Sequence, residues 1–311
     1  MKVLVLGGAG YTGSVLVQDL LGDGHEVVVF DAGWFEFHLA VHENLQIVVG
    51  DIRTDPLPMQ GTDFVVHLAN VANDPSVALS PVLSWEVNVL ASMRVAEEAI
   101  KAGVENLVFA SSGSVYGVKE EEQVTEDLEL VPISVYNKTK MIAERVLKSY
   151  ENQMNVWIVR PATVCGLSPR MRLDLTVNLL TFQALTKKEI TVFGGEQVRP
   201  NIHIDDLSGV YRHILSGAVP PGTYNAGFEN LAVIDIATEI AKKTGASIQI
   251  QPSNDPRSYR QNSQKLLGTG FAPKKGIAEA AMELSEAFQA NALVDKDEWH
   301  TVKSMQLKGL A

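Results

Sequence analysis

The chain begins with a strand-forming segment that runs directly into a glycine-rich turn. Lys2–Leu6 reads Lys-Val-Leu-Val-Leu, residues 7–13 read Gly-Gly-Ala-Gly-Tyr-Thr-Gly, and helix-compatible residues continue from 11 to 21. A strand that ends in glycines and continues as a helix gathers backbone N–H groups at a helix N-terminus, which favours a pyrophosphate. The alternative is an ordinary glycine turn. The G-x-G-x-x-G spacing, with a strand before it and a helix after it, favours a dinucleotide site.

Composition excludes several classes of partner and compartment. The 311 residues carry a net charge of −11 and show no basic patch, so we expect no nucleic-acid partner and no anionic membrane surface. Cys165 is the only cysteine, which excludes an intramolecular disulfide and a cysteine-rich metal site. No apolar run approaches the ~20 residues that span a bilayer, and the N-terminus lacks the apolar core of a signal peptide. These features predict a cytoplasmic protein that needs no metal.

Apolar strand-like runs alternate with helical patterns through the first half of the chain. Helical patterns cover residues 81–102, with Leu83, Val87, Leu90 and Val95 as expected buried positions, and residues 134–150. Continuous apolar strands separated by helices predict an α/β fold, a Rossmann-type doubly wound parallel sheet. Ligands of such a sheet bind beyond the C-terminal ends of its strands. The expected strands are Lys2–Leu6, 26–30, Leu45–Val49, 63–68, Asn106–Ala110 and 156–159.

The pattern becomes less regular after Arg160-Pro161. A short strand is expected at 190–193 and helices at 205–217, 232–244 and 278–290, whereas the polar residues 291–311 form either a tail or a subunit contact. We therefore expect a smaller, less regular α/β substrate domain beside the first. The first, Rossmann-type domain is predicted to comprise residues 1–165 with about 200–231. The second is predicted to comprise 166–199 and 232–311, including the C-terminal tail.

Asp31 lies 18 residues after Gly13, where the second strand ends. A carboxylate at this position accepts hydrogen bonds from both hydroxyls of the adenosine ribose and repels a 2′-phosphate, so it selects NAD over NADP. The alternative role is an aspartate that stabilises a turn. Trp34 and Phe35 follow in the same loop and are candidates to cover the adenine.

Two further segments carry groups suited to acid–base chemistry. Tyr136 and Lys140 are four residues apart at the start of a predicted helix, so they share a helix face. A lysine cation near the phenol is expected to lower the tyrosine pKa and make Tyr136 a general base for a sugar or alcohol hydroxyl. The segment 111–117, Ser-Ser-Gly-Ser-Val-Tyr-Gly, follows the fifth strand and points hydroxyls into the ligand crevice. Taken alone, the Tyr136–Lys140 spacing could be an ordinary surface pair, and the segment 111–117 could be an ordinary serine-rich turn.

With these residues in view, the chain resembles an extended short-chain dehydrogenase/reductase of the NAD-dependent nucleotide-sugar epimerase/dehydratase family, such as the UDP-glucose 4-epimerase-like enzymes. The resemblance runs nearly from end to end. It rests on the glycine loop 7–13, Asp31, Gly50-Asp-Ile-Arg53, His67-Leu-Ala69, Asn88, the segments 111–117 and 136–140, Arg160-Pro161 and Arg199-x-x-x-His203-x-Asp205-Asp206.

The resemblance implies that the first predicted domain binds NAD and that the second binds the sugar nucleotide. It also implies a role for each matching residue. Tyr136 is the base, Lys140 also binds the nicotinamide ribose, and Ser112 is the catalytic serine. The diphosphate of the sugar nucleotide is held by the backbone amide of Asn178 and by Arg199 and Arg257. The family also implies a homodimer that packs helices 81–102 and 134–150 against their copies. The implied NAD contacts are Gly7, Gly10, Tyr11, Thr12, Gly13, Asp31, Asp51, Ile52, Leu68, Ala69, Asn88, Ser111, Tyr136 and Lys140.

The residues present limit the possible reactions but do not indicate which sugar is the substrate. A 4,6-dehydratase of the family carries an Asp-Glu pair after its catalytic residue, and Gly113 and Ser114 occupy those positions, which disfavours that reaction. Epimerisation at C4 through a 4-keto intermediate needs no such pair and ranks first. A 4-dehydrogenase or a 4-ketoreductase fits the same residues, and an NAD-sensing regulator without catalysis is the non-enzyme alternative. The nucleotide base and the sugar, expected between residues 73–76 and 165–172, stay open.

Overall fold

The computed structural model describes residues 1–253 and 258–310, and its centre is a parallel sheet. Within these residues seven strands pair in the order β10-β6-β5-β4-β1-β2-β3, every pair parallel. The order reverses between β1 and β4, which makes the sheet doubly wound and confirms the predicted Rossmann-type fold. The strands are β1 Lys2–Leu6, β2 Glu26–Asp31, β3 Leu45–Val49, β4 Phe64–His67, β5 Asn106–Ala110, β6 Asn155–Pro161 and, later in the chain, β10 Gly222–Ala226.

Helices cover both faces of this sheet. One face packs on α1 (Tyr11–Gly22) and α7 (Ile204–Leu215) through residues such as Leu16 and Ile214. The other packs on α4 (Ala91–Lys101) and α5 (Val135–Lys148) through residues such as Val95 and Leu147. Burial on both faces explains why the strands are continuously apolar. It also leaves the C-terminal ends of the strands as the edge where loops from both sides gather.

The second half of the chain adds smaller sheets and a separate helical cluster. One sheet has the order β11-β9-β7 and the other pairs β12 with β8. Apolar residues of α6, α8 and α10, such as Leu180, Ile236 and Ala280, pack together beside them. The proposed domain boundaries stay a prediction. The bounds are β7 Thr163–Cys165, α6 Thr176–Lys187, β8 Glu189–Phe193, β9 Val198–His203, β11 Glu229–Ala232, α8 Val233–Thr244, β12 Ser247–Gln251, α9 Gln264–Leu267 and α10 Ile277–Gln289.

The helix expected over 81–102 is continuous but not uniform. After α2 (Asp74–Leu79), α3 (Pro81–Trp85) passes through a π-helical turn, Glu86–Leu90, into α4. Val87 and Val95 are buried as expected, whereas Leu90 is 56% exposed, so its expected burial is wrong. The wider turn shifts the buried face by one residue, and Ala91 takes the inward position.

The C-terminal segment folds back onto the rest of the chain. A 3-10 turn, Asp297–Trp299, precedes α11 (Thr301–Leu307). The Leu173 backbone N–H donates to the Trp299 carbonyl oxygen over 2.9 Å, and Met305 is buried in the hydrophobic cluster on the sheet face that α4 and α5 cover. The sequence pattern does not distinguish a tail from a subunit contact here, and the structure shows that the segment packs on its own chain. Among the described residues, no helix combines the length and the apolar character that crossing a bilayer requires.

Candidate active site

A cavity of about 630 Å³ opens at the C-terminal ends of β1, β2, β4 and β5. Its walls come from the central sheet and from the smaller sheets and helices of the second half, which is the edge where ligands of doubly wound sheets bind. Most of the predicted site residues line it: Gly7, Gly10, Tyr11, Thr12, Gly13, Asp31, Asp51, Ile52, Leu68, Ala69, Ser111, Ser112, Tyr136, Lys140 and Arg199.

The glycine loop supplies a backbone cradle at the N-terminus of α1. Gly7 has a φ of +79°, and a Cβ there would lie 2.6 Å from the Ala69 nitrogen. A Cβ at Gly13 would lie 2.5 Å from the Gly7 carbonyl oxygen, so both positions need glycine for the fold itself. A Cβ at Gly10 would meet nothing nearer than that oxygen, at 3.3 Å, among the described residues. Gly10 therefore presents bare backbone where a diphosphate would approach a helix N-terminus, and the loop fits NAD.

Asp31 is held rigidly at the end of β2. Its carboxylate accepts the Ala9 N–H at 3.1 Å and the Gly33 N–H at 2.9 Å, which ties the glycine loop to the following turn. Burial raises the pKa of Asp31, and these two hydrogen bonds act against the rise. The carboxylate lines the cavity beside Trp34 and Phe35, where it can accept hydrogen bonds from ribose hydroxyls.

Asp51 and Ile52 form the wall beyond this turn. The Asp51 carboxylate is also bound by Arg53, whose Nη2 is 2.7 Å from its Oδ2. This arginine lowers the pKa of Asp51. The pair leaves Asp51 ionised and fixed in position at the edge of the cavity.

Helix α5 and the turn after β5 bring the catalytic candidates together. Ser134 caps α5 by accepting the Asn137 N–H at 3.1 Å, and Tyr136 and Lys140 project from its first turns into the cavity wall. Ser112 caps the 3-10 turn Gly113–Tyr116, and its Oγ lies 2.7 Å from that of Ser114. The three predicted catalytic residues therefore line one cavity together with the glycine loop.

The expected effect of Lys140 on Tyr136 is wrong for this structure. Burial raises the pKa of Tyr136 to about 12, and Ser112 and Arg172 are the groups that act to lower it. Burial lowers the pKa of Lys140 to about 7, although Glu144 acts in the other direction. The Lys140 ammonium donates to the Ala110 carbonyl oxygen at 2.7 Å, so it faces the end of β5.

A buried polar network beneath these residues was not anticipated from the sequence. Arg160 binds Glu144 through two contacts, Nε to Oε1 at 3.0 Å and Nη2 to Oε2 at 2.7 Å. The Ser111 hydroxyl donates to Glu144, and Arg160 also donates to the Tyr116 hydroxyl at 2.6 Å. Glu144 lies four residues after Lys140 on the same face of α5, a spacing that could have revealed it.

The opposite end of the cavity is polar and charged. Arg172 binds both oxygens of Asp174 at 2.9 Å, and the Asn73 amide donates to Asp174 at 3.1 Å. These side chains join the segments around residues 73–76 and 165–172, between which the sugar is expected to bind. Asp174 lies just beyond that range and was missed, since an Arg-x-Asp pair in a loop is too common to single out.

The remaining predicted contacts occupy different places. Asn88 is buried behind the wall, where its amide binds the backbone N–H and C=O of Val71 and the Thr139 hydroxyl, so it positions Val71 rather than lining the cavity. The Asn178 side chain links Tyr11 to Gly166, and its backbone N–H lies in the first turn of α6, where N–H groups lack intrahelical acceptors. Arg257 lies outside the described residues.

The chain is similar to known proteins in sequence and in fold. The model of the NAD dependent epimerase/dehydratase family matches residues 3–227. A UDP-glucose 4-epimerase of Lactobacillus helveticus is 28% identical over 309 residues, 88% of this chain and 92% of that protein. A UDP-glucuronic acid decarboxylase 1 of Xenopus tropicalis is 26% identical over 297 residues, 89% of this chain and 70% of that protein. The structure of MoeE5 in complex with UDP-glucuronic acid and NAD is 26% identical, with a TM-score of 0.81 over 94% of this chain and all of that one. The chain belongs to the NAD-dependent epimerase/dehydratase family.

Proposed function

We propose that the protein is a 4-epimerase of a nucleotide-diphosphate sugar that works through a 4-keto intermediate. The observation that carries the proposal is the cavity itself, which Ser112, Tyr136 and Lys140 line together with the glycine loop. NAD is the cofactor of the family, and the three relatives compared above act on or bind UDP-sugars. A UDP-sugar is therefore the first substrate to test.

Each catalytic side chain has a distinct role in this proposal. NAD, when bound, supplies a hydride acceptor for sugar C4 and a positively charged ring near the reacting atoms. Tyr136 takes the proton of the C4 hydroxyl, and Ser112 holds that oxygen with a hydrogen bond. Because burial raises the pKa of Tyr136 to about 12, proton removal depends on positive charge close to the phenol. Arg172 supplies such charge from the protein, because it acts to lower the pKa of Tyr136.

Inversion at C4 would require the 4-keto sugar to turn over in the cavity while the nucleotide stays bound. We assign the diphosphate to Arg199, the backbone amide of Asn178 and Arg257. Arg199 lines the cavity from β9, and the first turn of α6 lines it through Leu175 and Thr176. Guanidinium groups and helix N-termini both favour phosphate oxygens. Firm contacts to the diphosphate allow the sugar ring to move between two orientations.

Other reactions of the family are less well supported. The two residues after Ser112 are Gly113 and Ser114 and carry no carboxylate. A Cβ at Gly113 would lie 3.1 Å from the Gln261 amide oxygen, so a larger side chain there would require Gln261 to shift. This disfavours a 4,6-dehydratase of the usual pattern. A 4-dehydrogenase or 4-ketoreductase would use the same residues. A non-catalytic NAD-sensing regulator would have no need to retain Ser112, Tyr136 and Lys140 together.

The reaction can be assigned by mixing the purified protein with UDP-, GDP-, dTDP- and CDP-sugars. Product stereochemistry is followed by NMR and NADH by its absorbance. Inversion at C4 without net NADH supports the epimerase, and freshly purified protein is expected to carry NAD. Stoichiometric NADH, or protein that retains no NAD, would favour the dehydrogenase or ketoreductase instead.

Replacement of Tyr136 tests the base directly. Tyr136→Phe removes the proton acceptor and is expected to lower the turnover rate by about 10²–10⁴-fold while NAD stays bound. Tyr150→Phe is the matched control, because Tyr150 lies just beyond the end of α5 and its hydroxyl contacts Glu97 far from the cavity. Turnover of the Tyr136 variant at the rate of the control would refute the mechanism.

A further inference from the structure

Arg170 is a buried arginine in the wall of the cavity, on the loop between β7 and α6. The residue is only 3% exposed and lines the cavity. Its Nε and Nη2 atoms are buried without a hydrogen-bond partner among the described residues. A buried cation whose donors are unused is costly, so these atoms indicate an acceptor that completes the site.

The loop that carries Arg170 is tethered to the start of α1. The Ser168 hydroxyl donates to the Tyr11 carbonyl oxygen at 2.8 Å and lies 2.9 Å from the Ser14 hydroxyl. The Tyr11 hydroxyl donates to the Gly166 carbonyl oxygen at 2.7 Å. Arg170 is two residues beyond Ser168, so its backbone is held close to the helix N-terminus that the glycine loop prepares for a diphosphate.

The Arg170 guanidinium packs against the loop that follows β2. The guanidinium carbon lies 3.7 Å from the centre of the Phe35 ring, a cation–π contact that fixes its plane. Burial and Arg172 lower the pKa of Arg170 to about 9, while Asp174, Glu298 and Asp31 oppose that shift from nearby. Arg170 thus joins the cofactor side of the cavity to the loop that also presents Arg172 at the sugar side.

We propose that Arg170 binds the diphosphate of NAD, with Nε and Nη2 donating to its phosphate oxygens. The inference rests on the use of NAD by this family and not on the reaction at C4. The chemistry selects an anion with paired oxygens, because a guanidinium offers parallel donors and no acceptor. The loop between β7 and α6 then contributes to holding the cofactor as well as the sugar.

Binding of nucleotide fragments without any sugar tests the proposal. After bound nucleotide is removed, calorimetry compares ADP, adenosine and NAD on the wild-type protein and on Arg170→Met. Because Arg170→Met loses charge-assisted hydrogen bonds, its affinity for ADP and for NAD is expected to be about 10–100-fold lower than that of the wild type. Its affinity for adenosine should stay within about twofold of the wild-type value. Arg170→Lys, which keeps the charge, is expected to bind ADP more tightly than Arg170→Met.

Two controls make the result interpretable. Arg145→Met removes an exposed arginine from α5 and is expected to leave the affinities for ADP, adenosine and NAD unchanged. Circular dichroism checks that each variant is folded. Equal weakening of adenosine and ADP would overturn the proposal, because Arg170 would then act by packing on Phe35. Unchanged ADP binding, or a lysine variant no better than the methionine variant, would overturn it as well. Because no sugar is present, these outcomes are independent of the proposed epimerisation.

Discussion

Tyr136 and Lys140 show how strongly burial acts on single residues of this site. Burial raises the pKa of Tyr136 to about 12 and lowers that of Lys140 to about 7, so both neutral forms are favoured. The same effect acts on His67 at the end of β4, whose Nε2 lies 3.0 Å from the Ser92 hydroxyl. Burial, with the Lys140 charge as a smaller cause, lowers the pKa of His67 to about 3.

His67 predicts a pH dependence of stability. Its folded pKa lies below the ordinary value near 6.5, so the unfolded chain binds more protons and stability is lost as the pH falls from about 6.5 toward 3. The wild type and His67→Gln are expected to differ in their free energy of unfolding by an amount that depends on pH. The wild-type value minus the variant value should decrease by about 1.4 kcal/mol for each unit by which the pH is lowered from 6 to 4. Urea unfolding of both proteins over this pH range measures the difference. A difference that does not vary with pH would show that His67 is not buried in its neutral form.

The glycine loop predicts a separation between folding and NAD binding. Gly13→Ala places a methyl group against the backbone of Gly7 and Gly8 and is expected to cost about 1–3 kcal/mol of stability. Gly10→Ala meets no such obstacle and is expected to change stability by less than about 1 kcal/mol. Its methyl group occupies the approach of the diphosphate, so NAD affinity should fall at least about tenfold, since lost charge-assisted hydrogen bonds cost that much. Urea unfolding and calorimetry separate the two effects, and normal NAD binding by Gly10→Ala would contradict the assignment.

At the scale of elements, α5 organises the site because one helix face carries three of its side chains. Tyr136, Lys140 and Glu144 follow at intervals of four residues from the Ser134 cap. The first two reach the cavity, and Glu144 is fixed beneath it by Arg160 from β6. This ion pair connects α5 to the strand that precedes β7, and so to the sugar side of the cavity.

The Glu144–Arg160 pair predicts a large loss of stability on removing one charge. Both side chains are 2% exposed, so Glu144→Gln leaves a buried guanidinium without its counterion. The expected cost is about 3 kcal/mol in the free energy of unfolding. Glu151→Gln, an exposed change just past α5, should cost less than about 0.5 kcal/mol in the same urea experiment. Similar stabilities for the two variants would show that the pair is not essential.

At the scale of the molecule, the cavity joins the central sheet to the second half of the chain. The Tyr11 hydroxyl, the Asn178 amide and Gly166 form one connected set of hydrogen bonds across this boundary. On the outside, the helical run Pro81–Trp85, Glu86–Leu90 and Ala91–Lys101 exposes apolar side chains. These are Val82, Trp85, Leu90 and Met93.

This exposed surface agrees with the homodimer that the family resemblance implies, which stays a prediction. The protein is expected to sediment at about twice the 33.8 kDa mass of one chain. Leu90→Glu places a charge on the predicted interface and should produce monomers, because a buried unpaired charge is unfavourable there. Val41→Glu changes an exposed valine elsewhere and should leave the mass unchanged. A wild-type monomer, or a dimer that tolerates Leu90→Glu, would exclude this interface.

Local patterns of the sequence were enough to predict much of the fold. The strand–glycine–helix segment, the alternation of apolar strands with helices and the Tyr136–Lys140 spacing depend on contacts within a few turns or one strand. Apolar periodicity and glycine geometry encode such contacts directly. The π-helical turn at Glu86–Leu90 escaped prediction, because one wider turn leaves no distinct mark in the pattern.

Long-range packing decided the rest. Tyr11 and Gly166 are 155 residues apart in sequence, and their hydrogen bond sets where Arg170 lies. Nothing near Arg170 in the sequence indicates that its neighbours are Phe35 and Asp31. The pKa values of Tyr136 and Lys140 likewise depend on which segments cover them. Burial and long-range charge arise only when distant segments pack together, so side-chain spacing along the chain cannot encode them.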